Sequence, residues 1–131
     1  MVHAKGSKRV GILGFSFKAG TDDLRESPIV ELIERLLGKG FDVRIYDQNV
    51  NVARLVGANR EYILNHVPHI ANIMVGSVAK VLASADTIVV GNGSAEFRNV
   101  VSLLKPNQHV IDFVGVAKPP EPSSQYDGIG W

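Results

Sequence analysis

A doubly wound α/β domain, with a mostly parallel sheet and helices on both faces, is the fold class this sequence predicts. Three observations predict it. Short apolar runs alternate with amphipathic stretches from one end to the other, the mark of strand–helix–strand units with right-handed crossovers. Several runs are continuously apolar, as strands covered on both faces are. The length of 131 residues suits one domain that can bury a core without staples.

Residues 1–8 are small and polar, without periodicity, and read as a linker or tail; residues 9–131 read as the domain. Arg9–Leu13, ending at Gly14, is the first strand. Residues 15–27 form a polar, glycine-containing loop. Ser27-Pro28 opens a helix, because serine accepts from the first free amides and proline loses nothing at the first helical position. Ile29, Leu32, Ile33, Leu36 and Leu37 follow helical spacing, and Gly38 and Gly40 stop the helix. Phe41–Tyr46 is the second strand, followed by a helical stretch over about 50–56 and a short helix over 59–66. Residues 68–74 fit a short strand or a tight turn equally well. A helix over 77–83, a strand over 86–91 and a helix over 95–104 closed by Pro106 come next. The last buried strand is 109–113, and the tail from Val116 is rich in proline and serine. The strands of Arg9–Leu13, Val43–Tyr46, Thr87–Val90 and Val110–Asp112 are expected as parallel neighbours. Together they describe a Rossmann-like sheet, whose ligands sit beyond the carboxyl ends of the strands.

The balance of charges narrows the function. A formal net charge of +1 gives no basic surface for nucleic acid or membrane. No apolar run reaches bilayer length, and the N-terminus lacks the apolar core of a secretory signal; the expected location is cytoplasmic. There is no cysteine, which excludes disulfides, thiolate metal sites and a thiol nucleophile from this chain.

The chemistry is concentrated in Gly14-Phe-Ser-Phe-Lys-Ala-Gly-Thr-Asp-Asp-Leu-Arg-Glu-Ser-Pro28. It is neither a G-x-G-x-x-G fingerprint nor a P-loop. It places Lys18 and Arg25 at the ligand-bearing edge beside a helix N-terminus. Both suit phosphate, one as a point charge and the other as a planar fork. Residue by residue, the plainer reading is a solvated network of Asp22, Asp23 and Glu26 with Lys18 and Arg25, with Thr21 and Asp22 forming a turn.

As a string, Phe17-Lys18, a spacer, Thr21-Asp-Asp-Leu-Arg25-Glu-Ser-Pro28 resembles the signature of the C-terminal domain of the UDP-glucose/GDP-mannose dehydrogenase family. The likeness runs from Val10 to Trp131 and includes Arg44-Ile-Tyr-Asp47, Ala83-Ser-Ala-Asp86, Asp112 and the terminal Gly-Ile-Gly-Trp131. The resemblance implies an enzyme that oxidises a sugar C6 alcohol to a carboxylate in two steps with NAD. Its NAD-binding domain and nucleophilic cysteine stand outside the present chain, and the full-length enzyme is a homodimer. It also implies that Phe17 and Lys18 contact the nucleotide-sugar substrate and that Arg25 reaches NAD. UDP-glucose members carry Thr-Glu-Trp where this chain has Gly91-Asn92-Gly93, and an arginine where it has Gly115. Both departures resemble the GDP-mannose branch, whose product feeds polysaccharide biosynthesis. GDP-mannose is therefore the expected substrate and the NAD-binding domain of the same enzyme the expected partner, with no catalysis by this chain alone.

Other residues have simpler readings. Asp47 stands where such sheets place a ribose-binding acid, but without a glycine fingerprint it reads as the cap of the helix near Val50. His3, His66, His69 and His109 show no metal-ligand clustering. Asn92 and Ser94 fit a ligand or a turn between Gly91 and Gly93. Trp131 reads as a packing anchor for the tail. The alternatives are a stand-alone nucleotide-sugar binding module, a UDP-glucose-type domain, and a structural domain that has lost its ligand. Coding sequence upstream of Lys8 and binding of GDP by the isolated chain separate these readings. Whether Met1 is a native start stays open.

Overall fold

The computed structural model describes residues 9–16, 23–25 and 27–128. Within them the chain forms strand β1 (Arg9–Leu13), helix α1 (Pro28–Gly38), β2 (Asp42–Tyr46), α2 (Gly57–His66), α3 (Ile70–Ile73), α4 (Val78–Ser84), β3 (Thr87–Val90), β4 (His109–Asp112) and β5 (Tyr126–Gly128). The sheet order is β2-β1-β3-β4-β5, and every pairing is parallel. The expected four strands are parallel neighbours. The tail adds a fifth that its proline and serine content concealed.

Register divides the side chains between two cores. Ile12 lies opposite Ile45 on one side and Val89 on the other. These three residues join Val10 and Val43 in a cluster covered by Ile29, Val30 and Ile33 of α1, Ile63 of α2 and Ile70 of α3. Leu13, Ile88, Val90 and Val110 point to the other face, against Val81 and Leu82 of α4 and against Phe97 and Val100. Side chains alternate faces at each strand residue, so two consecutive apolar residues serve two cores.

Helix α1 ends as expected. Gly40, at φ 87°, follows the capping Lys39. The Gly40 amide donates to the Leu37 carbonyl and that of Phe41 to the Leu36 carbonyl, both at 3.1 Å. This paired closure needs a left-handed residue, the conformation glycine adopts most readily. Its start differs from expectation. The Ser27 side chain makes no cap hydrogen bond; its hydroxyl instead donates to the Phe15 carbonyl at 2.8 Å.

Two expected helices are absent. Over 50–56 there is a single 3-10 turn, Val52–Arg54, capped by Asn51. Val50 and Leu55 are both buried, and five residues apart they would face widely different sides of an α-helix. Over 95–104 two 3-10 turns, Ala95–Phe97 and Val100–Leu103, replace the helix. Their buried anchors, Phe97 and Val100, are three apart, the period of a 3-10 turn. The ambiguous 68–74 segment is one short helix, after which Met74 makes an isolated parallel bridge to Ile45. Trp131 lies outside the described residues, and no helix among them is long and apolar enough to cross a membrane.

Candidate functional site

The carboxyl ends of β1, β3 and β4 open onto one crevice of about 460 Å³. Ser16, Gly91, Phe113 and Val114 line it from the strand ends, and Pro28, Ile29 and Leu32 from α1. It spans the reversal of strand order between β1 and β3, the usual ligand position in open α/β sheets. A second crevice, of about 470 Å³, lies beyond β2 and is lined by Gln48, Asn51, Met74 and Gly76, among others.

Two buried carboxylates shape this edge. Asp47, directly after β2, accepts on Oδ2 from the Phe15 amide at 3.1 Å, the Ser16 amide at 3.2 Å and Asn92 Nδ2 at 3.2 Å. Its Oδ1 accepts from the Asn49 amide at 3.0 Å. Asp47 is thus not the helix cap, a role Asn51 fills by accepting from the Ala53 amide. Asn92 Nδ2 also donates to Ser16 Oγ at 3.0 Å, while its Oδ1 accepts from the Ser94 amide at 3.3 Å. Asn92 is therefore both a turn former and a bridge between strand ends. Asp112, ending β4, accepts on Oδ1 from the Val114 and Gly115 amides at 3.0 and 2.8 Å. Its Oδ2 accepts from the Ala117 amide at 2.8 Å and the Tyr126 hydroxyl at 2.9 Å. Buried anions persist only when paired or hydrogen-bonded.

Close packing completes the edge. A Cβ on Gly91 would stand 2.3 Å from the Gly14 carbonyl oxygen and 2.8 Å from Ile29 Cγ1. Both flanks of the long β1–α1 loop are fastened. On one side Asp47 holds Phe15 and Ser16; on the other Leu24 is fully buried and its amide donates to Asn59 Oδ1 at 2.7 Å.

Of the sequence-predicted site residues, Phe17 and Lys18 lie outside the described residues. Arg25 is exposed within the β1–α1 loop, its side chain 54% accessible, with Nε 3.1 Å from Asp23 Oδ1. The Arg25 side chain and then its amide, by hydrogen bonding, hold the Asp23 carboxyl below its usual range. His66 meets Glu34 and His109 meets Asp127, each on the surface. No group of three metal-ligating side chains occurs among the described residues. Asp47, Asn59 and Asn92 were missed as organisers of the edge. The signal was an acid directly after an apolar strand for Asp47 and at the strand's last position for Asp112; for Asn59 there was none.

Among the described residues of this edge, every buried polar side chain is hydrogen-bonded within the protein, so the strand exits are held in fixed positions around the crevice. The chain contains no thiol to attack a substrate.

The family model described as "UDP-glucose/GDP-mannose dehydrogenase family, UDP binding domain" matches residues 11–119. GDP-mannose 6-dehydrogenase of Pseudomonas aeruginosa is 45% identical over 131 residues, covering 100% of this chain and 30% of that protein. The Azotobacter vinelandii enzyme of the same name is 46% identical with the same coverages. UDP-glucose 6-dehydrogenase of Rickettsia bellii is 30% identical over 122 residues, 89% of this chain and 26% of its own length. Among solved structures, a ternary complex of GDP-mannose dehydrogenase from Pseudomonas aeruginosa superposes with a TM-score of 0.79 at 47% identity. It covers 95% of this chain and 28% of that one. The chain thus spans about 30% of the length of the curated GDP-mannose relatives it matches, and the matched region is their C-terminal part. Motif, parallel sheet and family match agree, and the chain belongs to the UDP-glucose/GDP-mannose dehydrogenase family, matching its C-terminal domain.

Proposed function

We propose that this domain forms the substrate side of an NAD-dependent enzyme that oxidises GDP-mannose to GDP-mannuronate, taking the C6 alcohol to a carboxylate in two steps. The observation that carries the reading is the 45% identity over the whole chain to GDP-mannose 6-dehydrogenase, against 30% to a UDP-glucose enzyme. The geometry supports it. Asn92, where UDP-glucose members carry another residue, bridges the ends of β1 and β2. Gly115, where they carry an arginine, closes the loop held by Asp112.

In this reading Phe17 and Lys18 contact the nucleotide sugar. The ammonium supplies charge-assisted hydrogen bonds to the diphosphate. Arg25 reaches NAD, which is held mainly by the NAD-binding domain of the same enzyme; an exposed planar guanidinium fits a phosphate or a ribose edge. When bound, NAD would supply the hydride acceptor. This chain's share is to bind, orient and exclude water, while the nucleophile comes from outside it. The full-length enzyme acts as a cytoplasmic homodimer and supplies a uronate for polysaccharide biosynthesis. Steady-state kinetics of the full-length enzyme with both sugars test the reading: GDP-mannose is oxidised in preference, and a preference for UDP-glucose overturns it.

A further inference from the structure

Asp47 joins three strand exits. It sits at the end of β2, its Oδ2 holds the backbone where β1 ends, through the Phe15 and Ser16 amides, and the same oxygen holds Asn92 where β3 ends. Asn92 closes the triangle by donating to Ser16 Oγ. All three are buried, with Ser16 at 1%, Asn92 at 2% and Asp47 at 5% exposure. Two crevice-lining residues depend on this triangle: Ser16 belongs to it, and Gly91 precedes Asn92.

From this geometry, and resting on the functional reading above, we propose that Asp47 is a positioning residue for nucleotide-sugar binding, acting through Ser16 and Asn92 on the crevice wall. It does not line the crevice of Ser16 and Gly91, although it borders the one beyond β2, so its effect on the former passes through the groups it holds. Four uncharged N–H donors converge on its two oxygens, so both oxygens are engaged as acceptors. An amide in its place offers one acceptor oxygen instead of two, and turns an N–H toward donors that need an acceptor. The strand exits then part, and the cost falls on the ligand that spans them.

The test uses the full-length enzyme carrying this domain, with Asp47→Asn and, separately, Asn92→Ala, which removes the amide that donates to Asp47 and Ser16 and accepts from Ser94, without changing charge. The expected result for Asp47→Asn is a rise of about ten- to a hundredfold in KM for GDP-mannose, the loss of one or two hydrogen bonds of this kind. KM for NAD stays within about twofold, and kcat changes far less than KM. Asn92→Ala shifts the same constant in the same direction by less, and the double variant falls short of the product of the singles, as coupled residues do. Amide exchange at Phe15 and Ser16 quickens in both variants. A purely structural role would lower the melting temperature and the active fraction while leaving both KM values alone, and that result overturns the proposal. So does a lower KM for the sugar in Asp47→Asn, since Asp47 would then act as a repelling charge. Should Asp47→Asn fail to fold, Asn92→Ala decides. Wild-type enzyme that oxidises no nucleotide sugar brings down the functional reading and this proposal with it. Wild-type turnover of GDP-mannose with unchanged variant constants brings down the proposal alone.

Discussion

The Tyr126 hydroxyl donates to Asp112 Oδ2 at 2.9 Å, so the first residue of β5 is tied to the last residue of β4 by their side chains as well as through the sheet. Asp112 is fully buried and also serves the Val114, Gly115 and Ala117 amides. One carboxylate therefore organises both the loop that lines the crevice and the docking of the tail. Tyr126→Phe keeps the ring and removes one donor to a buried charge, a loss of about 1.5–3 kcal/mol at most. We expect about 1–2 kcal/mol, because Ala117 still serves the same oxygen. Urea denaturation followed by circular dichroism measures it, and an unchanged midpoint would show that the clip adds no stability.

The same hydroxyl, with that of Tyr46, makes the fold sensitive to alkali. Burial, then the hydrogen bond to Glu96, pushes the Tyr46 hydroxyl from 10.0 up to about 12. Burial, then the hydrogen bond to Asp112, pushes Tyr126 up as well. A raised folded-state value means that the folded protein keeps a proton the unfolded chain releases. The contribution is complete below pH of about 10 and is lost as pH climbs through the folded values. Stability should fall from about pH 10 toward 12, and less steeply in Tyr46→Phe. Tyrosinate absorbance recorded beside unfolding curves checks this; a flat profile in the wild type would refute it.

Lys18 and Arg25 should separate the two ligands. In the full-length enzyme Lys18→Ala raises KM for the nucleotide sugar and Arg25→Ala raises KM for NAD. Each change is about one to two decades, the worth of a hydrogen bond to a charged group. Arg25→Ala leaves domain stability within about 1 kcal/mol, because an exposed ion pair such as Arg25–Asp23 contributes little. Calorimetric titration and melting curves on the two variants decide it. An Arg25→Ala protein that melts early yet binds NAD normally would make Arg25 a structural residue.

Gly91→Ala tests the closeness of β1 and β3. Its Cβ would meet the Gly14 carbonyl oxygen, a backbone atom that cannot swing aside, at 2.3 Å. Overpacking of this kind costs about 1–3 kcal/mol, and here the strain falls on the crevice wall. Thermal unfolding and GDP-mannose KM of the variant should worsen together. A variant as stable and active as wild type would show that the strand ends can separate.

The sheet was legible because its signal is local. Continuous apolar runs such as Arg9–Leu13 and Thr87–Val90 need no partner to be recognised as strands, and their two cores follow from alternation. Helix α1 was legible at its end through Gly40, but not in the use of Ser27, whose hydroxyl found the Phe15 carbonyl. The 3-10 turns over 95–103 misled because Phe97 and Val100 fit a helical reading as well as a three-residue period. Strand β5 was hidden because three residues leave no period, and Tyr126 is held by groups on distant segments. The edge network was hidden for the same reason. Asp47 meets Ser16 and Asn92 only after β2, β1 and β3 lie side by side.

Strand β5 also governs how this protein meets other proteins in concentrated solution. Without it, β4 would present a row of unsatisfied backbone groups beside apolar Val110 and Ile111, a template on which any extended segment can add. The tail fills that margin with the strand Tyr126–Gly128, in which Tyr126 is half-buried and Asp127 and Gly128 are exposed. It is too short and too charged to invite another. A chain cut before Ser123 would keep both apolar clusters up to Ala117 yet bare the flank of β4. Its failing would be colloidal as well as thermodynamic: soluble oligomers and turbidity that grow with concentration, from a domain that has also lost the Tyr126 contacts with Asp112 and with the second cluster.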